Sequence, residues 1–248
     1  MELHKLLFEL SSTERINILQ EFQKQRLKLS HVSRRLDLTV TEASRHLQRL
    51  AGARLIDKNS DGLYGLTPYG HLALSQLSGL DFITKHQNYF MEYDVSCLPY
   101  EFIDRIGELS NGQYGGDIFG NIELAENEFR KANQFIYVLS DQILKSLIPT
   151  MLEKLKDPID VRFIFPETVM PPDNMAPIPS TTRGVQKRVL PKVEVIVIVT
   201  DQLAGFCLPN RMGKIDYRNF HGNEPKFSKW CKDLFLHYWN KAKPFGPF

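Results

Sequence analysis

Apolar residues near the amino terminus recur at spacings of three and four, the period of an amphipathic helix, in three separate segments. The first follows a Ser-Ser-Thr-Glu start at 11–14, where hydroxyl groups and an acid suit the first turn of a helix. The second covers about 29–36, and the third covers about 40–53 with Thr39 or Thr41 as its cap. The residues expected to be buried are Ile16, Leu19, Phe22, Val32, Leu36, Val40, Ala43, Leu47 and Leu50.

Two short apolar runs then flank a turn. The runs are 55–56 and 63–66, and the intervening 59–62 ends in Asp-Gly, a strong β-hairpin signal. Thr67-Pro68 starts another helix, because Thr caps it and Pro at the first helical position loses no hydrogen bond. Helix, short helix, turn, helix, hairpin, helix is the order of a winged helix-turn-helix. The sequence therefore predicts an α+β domain of that kind over 1–78.

The remainder of the chain alternates between helical and strand patterns. Helices are expected over about 99–109, 118–132 and 142–155, and strands over 135–139, 161–165, 193–199, 203–208 and 215–220. The run 193–199 is β-branched almost throughout, which is typical of a central strand covered on both faces. An amphipathic helix carrying Trp230 and Trp239 ends the pattern. We predict an α/β C-terminal domain over 99–248, with a mixed sheet flanked by helices.

Residues 79–98 join the two domains, and 80–93 form a helix with a broad aromatic face that includes Phe82, Tyr89 and Phe90. This face either covers its own chain or pairs with a second subunit. Because no internal partner is obvious from the sequence, we expect the main contact of a homodimer here.

Charge is uneven along a chain whose formal net charge is only +2. Residues 12–58 hold ten basic and five acidic residues, which favours a polyanionic partner or, alternatively, an ordinary solvated helical surface. No apolar run reaches the roughly 18 residues of a membrane span, and no secretory signal pattern is present. Three scattered cysteines (Cys97, Cys207, Cys231) indicate neither disulfides nor a metal knuckle. We expect a cytoplasmic protein without a membrane partner.

Two sets of motifs resemble known regulators. The recognition helix and wing of ArsR-like transcriptional regulators resemble two motifs of this chain, Ser44-Arg45-His46-Leu47-Gln48-Arg49-Leu50 and Tyr64-Gly65-Leu66-Thr67-Pro68-Tyr69-Gly70. Asp37 and Arg54 stand at two positions where that family usually has Gly. Leu98-Pro99, 105–109, the strand pair around Asp201 and the Trp230–Trp239 ending resemble archaeal winged-helix regulators named for a methanogenesis regulatory protein. The resemblance implies a transcription factor with an appended sensing or dimerising domain.

A helix that reads DNA projects polar side chains into the major groove while its neighbours contact phosphates. On the third helix the outward residues are expected to be Thr41, Glu42, Ser44, Arg45, Gln48 and Arg49, with His46 at the margin. Contacts to the DNA backbone are expected from Arg34, Arg35, Lys58 and Tyr64. We therefore expect double-stranded DNA as a partner.

Enzyme and metal chemistry are less well supported. The α/β half is similar to phospholipase-D-like folds, but no histidine is followed two residues later by Lys, and nucleophile-elbow, phosphate-loop and zinc-protease motifs are absent. Asp141 and Asp201 end strands, where turn formation explains them. We expect no catalytic residue, cofactor or metal ligand. The alternative is a hydrolase or nucleotide-binding enzyme that uses the winged helix as an interaction module.

A small-molecule effector is a further hypothesis. Arg162, Arg183, Lys187 and Arg188 could together hold an anion beside the sheet, or they form a solvated basic loop.

Overall fold

The computed structural model describes residues 2–169 and 184–245. The chain divides into two compact units, Met1–Ser78 and Gly79–Phe248. The helix α5 (Pro68–Lys85) begins in the first unit and ends in the second.

The first unit is a small helical core with a hairpin. Its elements are α1 (Leu3–Leu10), α2 (Thr13–Lys24), α3 (Leu29–Arg35), α4 (Val40–Gly52), β1 (Ile56–Lys58), β2 (Tyr64–Leu66) and the start of α5. The strands β1 and β2 pair antiparallel, with Ile56 opposite Leu66. Ile18, Leu19, Leu47 and Leu50 are almost completely buried at the centre. The predicted order from α2 to α5 is therefore present, and α1 is an addition that the sequence pattern did not indicate.

Local signals fix the ends of the helices in this unit. At α4, the Thr39 hydroxyl accepts a hydrogen bond from the backbone N–H of Glu42, and the Glu42 carboxylate accepts one from the N–H of Thr39, so that both form a capping box. Asp37 and Arg54 follow α3 and α4 with φ of 51° and 60°. Two non-glycine residues thus adopt the left-handed conformation, which Asp tolerates because its short polar side chain can form local hydrogen bonds.

The second unit is built on an eight-stranded mixed sheet. The strands are β3 (Gln113–Gly115), β4 (Phe135–Leu139), β5 (Asp160–Pro166), β6 (Val185–Leu190), β7 (Ile196–Thr200), β8 (Ala204–Cys207), β9 (Asn219–Gly222) and β10 (Lys243–Pro244). Their spatial order is β10-β6-β5-β4-β7-β8-β9-β3. β4–β5 and β5–β6 are parallel and the other pairs are antiparallel.

Helices cover both faces of this sheet. The helices are α6 (Gln87–Glu92), α7 (Tyr100–Asp104), α8 (Ile118–Lys131), α9 (Ile148–Lys154) and α10 (Pro225–Lys241), with short 3-10 turns at Ile106–Leu109 and Lys145–Leu147. One face carries the larger core, which includes Trp230 and Phe235 of α10. The other carries a smaller core that includes Phe129 of α8 and Met151 of α9. The predicted mixed sheet flanked by helices is present.

Several details differ from the expectation. The predicted strand 215–220 begins only at Asn219, and the predicted helix 142–155 is a 3-10 turn followed by α9. Lys187 and Arg188, for which a solvated basic loop was one expectation, lie in the strand β6, which pairs with β5 along six residues. These segments lack a regular two- or three-residue repeat, so tertiary pairing decides their structure.

The expectation that the aromatic face of 80–93 has no internal partner is wrong. Phe82 is completely buried, and its ring lies 5.1 Å from that of Phe220 on β9. Tyr89 and Tyr93 are also buried in the larger core of the second unit. The segment predicted as a linker and dimer contact is therefore part of this core, and its aromatic face is not open to a second subunit.

Candidate nucleic-acid interface

Helix α4 presents an uncommitted polar surface to solvent. Thr41, Arg45 and Gln48 are exposed and Ser44 is partly exposed. Within the described residues, none of these four side chains forms a hydrogen bond or an ion pair with another group. Their spacing of three and four residues places them on one side of α4, opposite the buried Ala43, Leu47 and Leu50. Donors and acceptors held on a rigid helix without internal partners can meet the edges of bases.

Val40 belongs to this surface as well. We expected it to be buried, but it is 57% exposed. It is the first residue of α4, and the core side of the helix starts only at Ala43. The expectation was therefore wrong, because the apolar spacing in the sequence continues to Val40, beyond the buried part of the helix, which starts at Ala43. A methyl-bearing side chain at the start of a reading helix suits contact with the methyl group of thymine.

Glu42 is committed to the structure of the helix. Its carboxylate accepts from the N–H and the hydroxyl of Thr39, at 2.9 and 2.7 Å. These hydrogen bonds from Thr39 hold the pKa of Glu42 below its usual range. The negatively charged carboxylate caps the start of α4 and stabilises the helix. Because phosphate is also negatively charged, this side chain does not attract it.

Arg49 is partly exposed but engaged by α1. Its guanidinium donates twice to the carboxylate of Glu9 and lies over the ring of Phe8, with Cζ 5.1 Å from the ring centroid. Arg15 donates to the carbonyl oxygen of Phe8 at 2.8 Å and so ties down the end of the same helix. Of the two arginines expected to reach bases, Arg45 projects without a partner and Arg49 does not.

His46, expected at the margin of the helix, is buried. Within the described part of the chain its Nδ1 has no hydrogen-bond partner. Burial, and then the nearby charge of Arg15, lowers the pKa of His46. The ring is therefore neutral at pH 7 and serves the core of the first unit.

The predicted backbone contacts fall into two groups. Arg34 is exposed, and Lys58 is exposed with its Nζ 5.3 Å from the centroid of the Tyr64 ring. These two cations have no carboxylate partner among the described residues. Arg35, in contrast, donates to Glu21 at 2.9 Å. Because surface ion pairs are weak, the pair with Glu21 makes Arg35 less available to a phosphate than the other two cations.

Arg54 is a basic residue that the sequence analysis did not include among the expected DNA contacts. It follows the last turn of α4, where its N–H donates to the carbonyl of Ala51 and that of Leu55 donates to Leu50, both at close to 3 Å. This is a Schellman motif with arginine at its left-handed position. The side chain is exposed just after the end of α4. The sequence signal that could have identified Arg54 is a basic residue at a position whose backbone geometry favours glycine.

The described residues proposed for an anion effector, Arg162, Lys187 and Arg188, do not form one site. Arg162 and Arg188 lie on the α10 face of the sheet, but Lys187 points to the opposite face, since neighbouring residues alternate along a strand. Arg183 lies outside the described residues. Arg162 pairs with Asp160 at 2.9 Å, and Arg188 donates to the backbone carbonyl of Trp239 at 2.7 Å. For the three described residues, the prediction of a joint site is therefore wrong.

The two strand-end carboxylates differ in their surroundings. Asp201 accepts from the backbone N–H groups of Asn133 and Gln134, at 3.0 and 3.2 Å, and so supports a turn as expected. Asp141 instead accepts a hydrogen bond from the hydroxyl of Tyr217 at 2.8 Å.

Within the described residues, no three His, Cys, Asp or Glu side chains are arranged to hold a metal ion. The cysteines are shielded, and burial raises the pKa of the Cys97 thiol to about 12. Among the same residues no helix has both the length and the apolar character needed to cross a membrane.

No family model matches the chain, and no curated protein matches it. Among solved structures, the chain is similar to TrmBL2, an archaeal chromatin protein whose structure shows a novel mode of DNA binding. The identity is 11%, the TM-score is 0.42, and the match covers 94% of this chain and 92% of that one.

Two further similarities are weaker in extent or score. The phospholipase D family member Nuc from Salmonella typhimurium is 15% identical, with a TM-score of 0.40 over 55% of this chain and 99% of that one. IdeR from T. acidophilum is 12% identical, with a TM-score of 0.25 over 88% and 95%. At such scores none of these similarities assigns a function to the chain.

Proposed function

We propose that this protein is a sequence-specific transcriptional regulator that binds double-stranded DNA. In this proposal the first unit is a winged helix-turn-helix of the ArsR-like type, α4 lies in the major groove and β1–β2 form the wing. The observation that carries the proposal is the uncommitted polar face of α4, where Arg45 and Gln48 project side by side without internal partners. Arg and Gln are the side chains that pair best with guanine and adenine.

The surroundings of this face support the proposal. Arg34, Arg54 and Lys58 are exposed cations in the elements next to α4. Cations beside a reading helix neutralise phosphates and set the register of the helix on the duplex. The excess of basic over acidic residues in 12–58 also favours binding to the negatively charged DNA backbone.

The regulator is proposed to act as a homodimer. One winged helix reads a short half-site, whereas two copies related by a twofold axis read a palindrome with half-sites about one DNA turn apart. Light scattering at micromolar concentration tests this. A monomer that binds a single half-site with full affinity contradicts it.

The decisive experiment selects genomic DNA fragments on the full-length protein and compares the recovered site with variants. Arg45→Ala is expected to weaken binding by about 1–3 kcal/mol and to relax preference at one base position. Arg49→Ala is the matched control on the same helix, because its guanidinium is held by Glu9. Failure to enrich any sequence, or equal effects of the two substitutions on base preference, overturns the assignment of α4.

The alternative function, a hydrolase or nucleotide-binding enzyme with an attached interaction module, is tested on the same preparation. Hydrolysis of phosphodiester or nucleotide substrates by the full-length chain, together with DNA binding that shows no sequence preference, favours that alternative.

A further inference from the structure

Helix α5 carries a line of exposed, mostly apolar side chains along one side. Four of its members are large apolar or aromatic residues with between 38% and 63% of their surface exposed, and the fifth is an exposed glutamine. On a helix of 3.6 residues per turn the five lie within about 80° of one another, so the line is continuous. The members of this α5 stripe are Tyr69, Leu72, Gln76, Leu80 and Ile83.

The α5 stripe is distinct from the side of the helix that supplies the cores. Leu74 and Phe82 are buried and lie on the opposite side of α5 from the stripe. Leu74 belongs to the core of the first unit and Phe82 to the larger core of the second. Apolar residues exposed singly are ordinary on a protein surface, whereas a continuous line of them marks an interaction surface.

Charged residues are missing from most of α5. Residues 68–80 contain no Lys, Arg, Asp or Glu, although these types make up 24% of the chain and about three of them would be expected in a stretch of this length. The centres of protein–protein interfaces are depleted of charge in the same way. A surface without Lys or Arg does not suit the phosphates of DNA or of an anionic membrane. The composition therefore favours a protein partner.

The spacing of the α5 stripe is the same in both directions along the chain. Its members are three, four, four and three residues apart, so the pattern is symmetric about Gln76. Two copies of α5 that pack antiparallel about a twofold axis at Gln76 bring Tyr69 of one copy opposite Ile83 of the other. The same arrangement brings Leu72 opposite Leu80. A twofold interface requires such a self-complementary surface, because each contact occurs twice, whereas a different protein imposes no symmetry on it.

Gln76 is the polar centre of the stripe. Its side chain is exposed, and among the described residues its amide has no hydrogen-bond partner. At a twofold axis this amide meets the same amide of the second copy, and each can both donate and accept. A single polar pair within an apolar seam between helices fixes the register, because any shift places the amides against apolar side chains.

The size of the stripe fits a reversible dimer. At on the order of 100 Å² for each exposed side chain, the stripe presents roughly 400–500 Å² per copy, and the pair buries about 800–1,000 Å². Specific interfaces begin at about 1,000 Å². The pair of helices therefore lies at the lower limit of that class, and we expect a dissociation constant in the micromolar range.

We propose that α5 packs antiparallel against α5 of a second copy of this chain, with the two α5 stripes in contact and Gln76 at the twofold axis. This pairing rests on the homodimer of the proposed function and names the surface that forms it. Its tests use the full-length protein without DNA. A failure here therefore leaves the DNA-binding role of α4 to its own experiment.

Cysteine cross-linking tests the orientation. Gln76→Cys places the thiols of two copies side by side, so mild oxidation is expected to give a covalent dimer on non-reducing electrophoresis. Leu72→Cys is the matched control on the same stripe. In the antiparallel pair its two thiol positions lie about 12 Å apart along the helices, whereas a disulfide requires β-carbons within roughly 4.5 Å.

We therefore expect Leu72→Cys to remain uncross-linked, like the wild type, whose three native cysteines give the background. Equal cross-linking of the two variants contradicts the antiparallel arrangement. An absence of cross-linking in Gln76→Cys overturns the proposal.

A charge exchange tests the contact between Leu72 and Leu80. Leu72→Lys and Leu80→Glu each place a charge against an apolar side chain, and each is expected to raise the dimer dissociation constant at least about tenfold. With both changes in one chain, the ammonium group of each copy faces the carboxylate of the other, and dimerisation is expected to recover. Leu152→Lys, at a position 39% exposed on α9, is the control and is expected to leave the dimer unchanged.

Sedimentation velocity from 1 to 100 µM measures these dissociation constants, and circular dichroism verifies that each variant is folded. A dimer that tolerates both single substitutions keeps the homodimer and overturns the α5 surface. The same conclusion follows if the combined variant does not recover. A wild type that remains monomeric throughout this range overturns both the surface and the homodimer.

Discussion

Glu9 and Arg49, 40 residues apart in the chain, form a bidentate ion pair: the Arg49 Nε donates to Glu9 Oε2 at 3.0 Å and its Nη2 donates to Oε1 at 2.8 Å. The pair fastens α1 to the side of α4. It therefore connects the stability of the first unit to the helix proposed to read DNA.

This pair makes the stability of the first unit depend on pH. Hydrogen bonding to Arg49 is the main cause that lowers the pKa of Glu9 below its ordinary value of 4.5. The contribution of a carboxylate with a lowered pKa is present above the ordinary pKa and is lost as the pH falls through the folded-state value. Glu9→Gln is therefore expected to lower Tm at pH 7, and the difference from wild type is expected to shrink as the pH falls below 4.5.

Thermal unfolding followed by circular dichroism at a series of pH values measures this difference. Glu2→Gln, whose exposed carboxylate pairs only at the surface with Lys5, is the control and is expected to change Tm far less than Glu9→Gln does. A Tm difference for Glu9→Gln that persists in full at pH 3 is incompatible with an ionic contribution.

The left-handed backbone of Arg54 predicts a stabilising substitution. With φ at 60°, a side chain costs about 1–2 kcal/mol relative to a right-handed conformation, and glycine avoids that cost. Arg54→Gly is expected to raise the unfolding free energy of the first unit by about 1 kcal/mol, after the greater freedom of glycine in the unfolded chain is included. Urea unfolding measures it.

Arg54→Ala separates the effect of the backbone conformation from that of the guanidinium group. It keeps the conformational cost and removes the guanidinium, so its stability should stay close to that of wild type. If Arg54 contacts phosphate, both variants lose DNA affinity equally. A glycine variant no more stable than the alanine variant would falsify the strain argument.

The sequence was informative where structure is decided locally. Helix α4 ends within one residue of its expected limit, because its apolar repeat and the Thr39–Glu42 capping box both lie within the segment. The same holds for β4, whose five apolar residues match the predicted strand. The short strands β3 and β10 were missed, since two or three residues carry no usable repeat.

The candidate site shows the same division. The pattern of α4 alone places Arg45 and Gln48 outward, and the structure leaves both without internal partners. It also places Arg49 outward, but the position of α1, which no pattern in α4 encodes, engages that guanidinium. Likewise, an aromatic face such as that of Phe82 looks the same in sequence whether it covers its own sheet or a second subunit. Only tertiary packing decides between these outcomes.

Phe82 predicts a large loss of stability rather than a change of oligomeric state. Its ring is fully buried among aromatic side chains of the second unit, including Phe90 and Phe220. Phe82→Ala is expected to cost about 3–5 kcal/mol, because it removes buried surface and leaves a cavity. Ile83→Ala, at a position 38% exposed on the same helix, is the control and is expected to cost far less.

Fluorescence during urea unfolding follows this effect selectively, since both tryptophans lie on α10 in the second unit. A folded Phe82→Ala protein of near wild-type stability, shifted to a monomer in light scattering, would restore the idea of a dimer contact at this face.

The exposed cations around α4 predict how DNA binding depends on salt. Arg34 and Lys58 have no carboxylate partner among the described residues, so each is able to neutralise one phosphate and release its counterions. Alanine at either position is expected to weaken binding to all sequences alike and to reduce the slope of log K against log salt by about 1. Arg35→Ala is the matched comparison on α3, because that guanidinium already pairs with Glu21 and its removal should change the slope less. Binding titrations at several salt concentrations, on selected and on random DNA, give both quantities. A change in base preference with an unchanged salt slope would indicate that Arg34 or Lys58 contacts bases instead of the DNA backbone.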